Sequence, residues 1–196
     1  MEPQILILAA GAASRMRGAD KLLEPIDGEP LLYRIAAAAV RTGVPVKVAL
    51  PPDRPLRNAV LRRLPIEEVM VDDPDLGLSA SLRAGLAALP PNAPVLLLLA
   101  DLPEITAVDL RHMLAEWRKT PEMILRGTSA DGSPGHPVCL PAWTRTELLN
   151  LSGDEGARSL LVRHAGRLRH VVLPDHHATT DLDTPEDWAK WRGRRS

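Results

Sequence analysis

The stretch that most constrains this chain is Val95-Leu96-Leu97-Leu98-Leu99-Ala100. A strand with one wet face alternates apolar and polar residues, so an unbroken apolar run of this length reads as a strand covered on both faces. Such a position exists in the middle of a parallel sheet flanked by two layers of helices. Shorter strand patterns at Gln4–Leu8, Val46–Leu50 and Glu68–Val71 fit the same sheet. They alternate with helical patterns over Leu31–Thr42, Leu56–Arg63, Ala80–Leu89, Ala107–Lys119, Thr144–Asn150, Ala157–His164 and Pro185–Arg192. The expected fold is α/β: a single-domain, three-layer α/β/α sandwich with a mostly parallel central sheet, Rossmann-like in outline.

Helix starts are marked. Thr106 with Asp109 and Thr184 with Asp187 have capping-box spacing, and Pro185 stands where a first helical residue belongs. Ser79 and Asp154 read as N-caps. The rhythm breaks between Met123 and Leu140, a Gly-, Ser- and Pro-rich region with weak strands at Met123–Leu125 and Val138–Leu140. It reads as an inserted hairpin or a substrate-side subregion rather than a second domain. The acidic run Asp72-Asp73-Pro74-Asp75 reads as a turn, and Asp175-His176-His177 as a solvated turn.

At 196 residues, one domain with a substantial core is expected. The net charge of −1 creates no long-range field toward nucleic acid or an anionic membrane. The lone Cys139 excludes an internal disulfide and a multi-cysteine zinc site. The Met1–Gln4 start has no basic segment, and the apolar run behind it is too short to export the chain or span a bilayer, so a cytoplasmic location is expected.

The chemistry concentrates at strand ends, where ligands bind in open α/β sheets. After Gln4–Leu8 comes Ala9-Ala10-Gly11-Ala12-Ala13-Ser14-Arg15-Met16, and then Lys21. Small residues let a backbone approach phosphate oxygens, an arginine can fork onto a phosphate chain, and a lysine supplies a point charge. Taken alone, the loop is equally an ordinary strand–helix turn with solvated cations. It has neither a P-loop nor a Gly-x-Gly-x-x-Gly fingerprint. Asp101 ends the buried strand, the place for a carboxylate facing the crevice, and Asp181 and Asp183 precede the last helix with the spacing that points both one way.

The motifs occur in order along the chain: Leu8-Ala9-Ala10-Gly11 with Ser14-Arg15-Met16 and Lys21-Leu22-Leu23; Gly28-Glu29-Pro30-Leu31-Leu32; Gly77 to Gly85; Ala100-Asp101-Leu102-Pro103; Gly135-His136-Pro137-Val138; Leu151 to Arg158; and Asp181 to Asp187. Together they resemble the molybdenum cofactor nucleotidyltransferase family, within the NTP transferases of glycosyltransferase-A-like fold. The Ala9-Ala10-Gly11 loop and Ser79–Arg83 resemble its cytidylyltransferase branch, since the guanylyl branch carries a further glycine where Ala10 stands. The resemblance implies Mg²⁺- or Mn²⁺-dependent transfer of CMP from CTP to molybdopterin-bound molybdenum, with release of pyrophosphate. It gives Lys21, Arg15 and Asp101 catalytic roles and makes Asp101 and Asp183 metal-side carboxylates, with Asp181 the alternative to Asp183. Leu8, Ala9, Ala10, Gly11, Ser14, Arg15, Lys21, Ser79, Ser81 and Arg83 would hold the nucleotide. His136, Asp154 and Arg158 would hold the acceptor. Residues 1 to about 120 would form the nucleotide-binding part, and about 121–196 the acceptor-side part and closing helix. A molybdoenzyme or its chaperone would be the protein partner. The alternatives are GTP as donor, a sugar or isoprenoid phosphate as acceptor, or a non-catalytic carrier of the finished cofactor.

Overall fold

The computed structural model describes residues 1–12, 14–151 and 157–195. In chain order the elements are β1 (Gln4–Leu8), β2 (Pro25–Ile26), β3 (Glu29–Pro30), α1 (Leu31–Val40), β4 (Val46–Leu50), α2 (Pro55–Leu61), β5 (Glu67–Met70), α3 (Leu78–Ala88), β6 (Val95–Leu99), α4 (Ala107–Lys119), β7 (Ile124–Thr128), β8 (Pro134–Leu140), α5 (Arg145–Leu149), α6 (Arg158–Arg163), β9 (Leu168–Val172) and α7 (Pro185–Arg195). The main sheet has the order β5-β4-β1-β6-β8-β7-β9, and β2 pairs with β3 apart from it. In the main sheet β8 is antiparallel to both neighbours and the other pairs are parallel, while β2 and β3 pair antiparallel.

The apolar run is the middle strand, as its sequence requires. Its Leu96 and Leu98 join one core with Leu32 and Ile35 of α1, Leu110 and Leu114 of α4 and Trp188 of α7. Its Val95 and Leu97 join the other with Leu82 and Leu86 of α3, Leu148 of α5 and Leu160 of α6. Leu96, Leu97 and Leu98 are at most 1% exposed. Each contributes about 1.5–3 kcal/mol by leaving water. Helix α3 lies so close to β1 that a Cβ at Gly85 would strike the Leu6 side chain.

Both capping boxes form. Thr106 and Thr184 each receive the amide three residues on and lend their own to the Asp109 and Asp187 carboxylates. Ser79 is not the cap of α3. Gly77, with φ 82°, turns the chain into the helix two residues earlier, and Ser79 is buried within the first turn. Asp154 lies outside the described residues. The Met123–Leu140 region is a hairpin, β7 pairing antiparallel with β8, and it belongs to the main sheet: both strands are longer than their apolar cores suggest and carry the sheet outward from β6. Strand β9 has no apolar run to announce it, because only Val171 is buried along this edge strand. Asp175 and His176 stand exposed in a turn, as read, while His177 of the same turn is partly buried, its Nδ1 2.9 Å from the buried Asp109 carboxylate. Residues Pro74–Leu76 form a 3₁₀ turn just before α3.

Candidate active site

The carboxyl ends of β1 and β6 open onto a cleft of about 460 Å³ lined by residues 8–12, by Lys21, Ala100 and Asp101, and by Asp75, Gly77 and Ser81 around the start of α3. The Ala9 amide still belongs to the sheet, donating to the Ala49 carbonyl at 2.9 Å. The Ala10 and Gly11 amides have no hydrogen-bond partner among the described residues. A Cβ at Gly11 would meet nothing, and its φ lies outside the left-handed range. The protein itself therefore places no demand for glycine there; what a Cβ would obstruct is whatever enters the cleft.

Lys21 is the centre of charge. Its Nζ donates to Asp101 Oδ2 at 2.7 Å and to Asp183 Oδ1 at 2.6 Å, and Arg15 reaches the other Asp183 oxygen at 2.7 Å. Burial opposes the ammonium charge, but Asp101 and Asp183 outweigh it and raise the Lys21 pKa above the usual lysine value. Residues distant by 80 and 162 positions are thus joined through one ammonium. Arg15 is mostly exposed, with 71% of its side chain open to solvent, so its ion pair with Asp183 lies within reach of an incoming anion. Partial burial, with Asp183 and Asp101 nearby, pushes the Asp181 carboxyl up.

Asp101 and Asp183 fit a divalent cation. They are hard oxygen donors, and Asp101 Oδ1 is buried with no hydrogen-bond partner among the described residues. A buried, unpartnered carboxylate oxygen is costly unless something binds it. No group of three or more metal-binding side chains occurs among the described residues. Two carboxylates completed by phosphate oxygens and water is the usual set for Mg²⁺.

Behind the loop lies a second ion pair that the sequence does not advertise. Arg57 of α2 is wholly buried and forks onto Asp20, with Nε to Oδ2 at 2.7 Å and Nη2 to Oδ1 at 2.9 Å. Its Nη1 donates to the Ala9 carbonyl at 2.6 Å. Asp20 also caps the short turn Lys21–Leu23 by accepting from the Leu22 amide. An aspartate directly before Lys21-Leu22-Leu23 is a readable cap signal, whereas Arg57 looks like any helix-surface arginine.

Of the other nucleotide candidates, Ser81 lines the cleft, while Ser79 is buried behind it with its hydroxyl unpartnered among the described residues. Arg83 points elsewhere, donating to the Leu151 carbonyl at 2.5 Å. Ser14 begins the turn that carries Arg15. Asp75, read as a turn residue, lines the cleft.

On the other side of Asp101 stand His136 and Arg158, joined by Arg126 of β7. Arg126 donates from Nε to the Gly135 carbonyl at 3.0 Å. A Cβ at Gly135 would collide with the Ala178 carbonyl, and the His136 amide donates to that same oxygen. This contact brings the start of β8 against the segment leading to Asp183. Burial lowers the His136 pKa to about 4; Arg126 also lowers it, while the Leu97 carbonyl and Asp101 act the other way. The imidazole is neutral near pH 7, with a buried Nδ1 unpartnered among the described residues. Burial and the neighbouring Arg158 lower the Arg126 pKa. Neither arginine has a carboxylate partner among the described residues.

A family model described as the MobA-like NTP transferase domain matches residues 5–168. The bifunctional protein GlmU of Rhizorhabdus wittichii is 37% identical over 112 residues, 56% of this chain but 25% of that protein. The match thus spans about a quarter of that relative's length. Among solved structures, Rv0371c from Mycobacterium tuberculosis H37Rv superposes with a TM-score of 0.83 at 27% identity, covering 97% of this chain and 98% of that one. Its complex with manganese gives 0.77 at 26% identity, covering 97% of each chain. CMP:2-keto-3-deoxy-manno-octonic acid synthetase complexed with CTP, at 16% identity and a TM-score of 0.76 over 100% and 98% of the two chains, shares the fold. No helix among the described residues is long and apolar enough to cross a membrane. The chain belongs to the MobA-like NTP transferase domain family.

Proposed function

We propose that this protein transfers CMP from CTP to a phosphorylated pterin, molybdopterin carrying molybdenum, and releases pyrophosphate. The observation that carries the reading is Lys21 bridging Asp101 and Asp183 in one cleft with the Ala10 and Gly11 amides, which have no hydrogen-bond partner among the described residues. The amides and Arg15 bind the triphosphate, Lys21 shifts its charge onto the α-phosphate, and Asp101 and Asp183 hold Mg²⁺ or Mn²⁺. When bound, the metal supplies charge neutralisation for the triphosphate and the departing pyrophosphate.

The acceptor's terminal phosphate oxygen attacks the α-phosphorus, and the bond from that phosphorus to the bridging oxygen of pyrophosphate breaks. A phosphate acceptor is already ionised near neutral pH, so no protein base is needed, which agrees with the weakly basic His136. Arg126, Arg158 and His136 orient the acceptor; positioning and charge neutralisation supply the rate. The manganese complex of Rv0371c supports a divalent cation, and the CTP complex of the synthetase of like fold supports a cytidine donor. The methyl of Ala10, where the guanylyl branch has glycine, supports a smaller base.

The test is pyrophosphate release from each of the four NTPs with Mg²⁺, with and without molybdenum-loaded molybdopterin. CTP alone, and only with the acceptor, is the expected pair. Turnover with GTP moves the protein to the guanylyl branch, turnover with a sugar phosphate in place of the pterin replaces the acceptor, and CTP binding without turnover makes it a carrier.

A further inference from the structure

Arg57 is an unusual residue to find wholly buried on a short helix. Arginine is among the residues least often fully buried, and a buried ion pair is weak evidence of stability, since apolar replacements often serve as well or better. Its placement asks for another explanation.

The three bonds of Arg57 go to the two ends of one loop, Ala9 at its start and Asp20 immediately before Lys21. The peptide joining Ala9 to Ala10 is trans. In a planar trans peptide the carbonyl and the following N–H point in opposite directions. An Ala9 carbonyl held by the guanidinium therefore aims the Ala10 amide away from Arg57. Ala10 is buried and lines the cleft, and its amide has no partner among the described residues. At the other end, the Asp20 carboxylate is divided between Arg57 and the Leu22 amide, which fixes the turn that presents Lys21 to Asp101 and Asp183.

We infer that Arg57 is a positioning residue for the nucleotide site, holding the Ala9–Ala10 peptide in the orientation that offers its N–H to the donor nucleotide and setting the span to Lys21 through Asp20. The inference rests on the reading of the cleft as the donor site. It assigns Arg57 no contact with substrate.

The experiment is calorimetric titration of CTP with Mg²⁺ into the whole chain, after all four NTPs have been titrated into the wild type. Arg57→Lys keeps a positive charge but cannot fork onto Asp20 while reaching Ala9. The expected result is affinity for CTP weakened about 10–100-fold, the range for loss of an orienting partner behind a binding group, in protein whose thermal unfolding stays above the assay temperature. If Arg57→Lys does not fold, the pair Asp20→Asn/Arg57→Met takes its place. It leaves no unpaired buried charge, and asparagine can still cap the turn. That pair should show the same loss while retaining the Lys21 turn. A purely structural arginine would lower the unfolding temperature and leave the affinity of the folded protein unchanged; native affinity in a folded variant overturns the inference and leaves the donor site standing. Binding of no NTP by the wild type overturns both.

Discussion

The two sides of Asp101 handle charge in opposite ways. On the loop side every buried charge is already paired: Lys21 with Asp101 and Asp183, and Arg57 with Asp20. On the β8 side, Arg126 and Arg158 have no carboxylate partner among the described residues, and the neutral His136 keeps a lone buried nitrogen. Paired charges hold a shape in the absence of ligand and exchange partners when one arrives. Unpaired cations held near one another store repulsion that an anion relieves. The loop side is thus held by ion pairs within the chain, whereas on the β8 side the arginines pair with no carboxylate among the described residues.

The largest expected effect breaks the paired side. Asp101→Ala should cut metal-dependent pyrophosphate release by about 10³-fold or more, the scale for removing a main charge-stabilising group. Lys21 keeps Asp183, so the circular dichroism melt should stay cooperative. Full activity in this variant would sink the metal assignment. A smaller effect tests the unpaired side. Arg126→Met should raise the acceptor KM roughly 10–100-fold, the worth of a hydrogen bond to a charged group, while the CTP KM stays put. A change in both constants would mean that the two sides are not separable.

Gly11→Ala sharpens the contrast further, because it separates stability from binding. Its Cβ enters open space at an ordinary φ. Unfolding free energy should hold or rise by about 0.4–1 kcal/mol, while the CTP KM rises about tenfold, the equivalent of about 1.4 kcal/mol. A lost melting transition would show that the glycine serves the fold instead. The mildest test is pH. His136 titrates near 6.5 when unfolded and near about 4 when folded. The unfolded chain therefore takes up a proton that the folded one refuses. This contribution is complete above about pH 6.5 and is lost as pH falls toward 4, with a slope of at most about 1.4 kcal/mol per pH unit. Urea melts of wild type and His136→Gln at pH 7 and pH 5 should differ in this slope. Parallel pH dependence would remove His136 as its source.

Much of this was legible in the chain itself. The six apolar residues Val95 to Ala100 require a covered central strand, and Asp101 follows at the edge where open sheets bind ligands. Lys21 and Asp183 stand beside recognisable caps. The residues that escaped sequence reasoning are those whose environment is created by distant chain. Arg57 shares its helical region with Arg62 and Arg63, and nothing local distinguishes the buried one. Arg126 follows the two apolar residues that mark β7, so it reads as the start of a loop until pairing with β8 extends the strand. Strand β9 buries only Val171 and carries no pattern of its own.

The reversal of β8 has a consequence for how such a molecule can vary. A parallel strand delivers to the ligand rim only the residues that follow it. An antiparallel strand delivers those that precede it. With Leu97 opposite Val138, the chain leading into β8 arrives level with the end of β6, so His136 meets the rim that Asp101 closes. The segment between β7 and β8 is therefore a separate entrance to the site, written in a different stretch of the chain from the donor loop. Lengthening or rewriting it alters what is presented beside Asp101 and leaves β1, β4 and β6 in register, so one side of the cleft can change while the other is inherited whole.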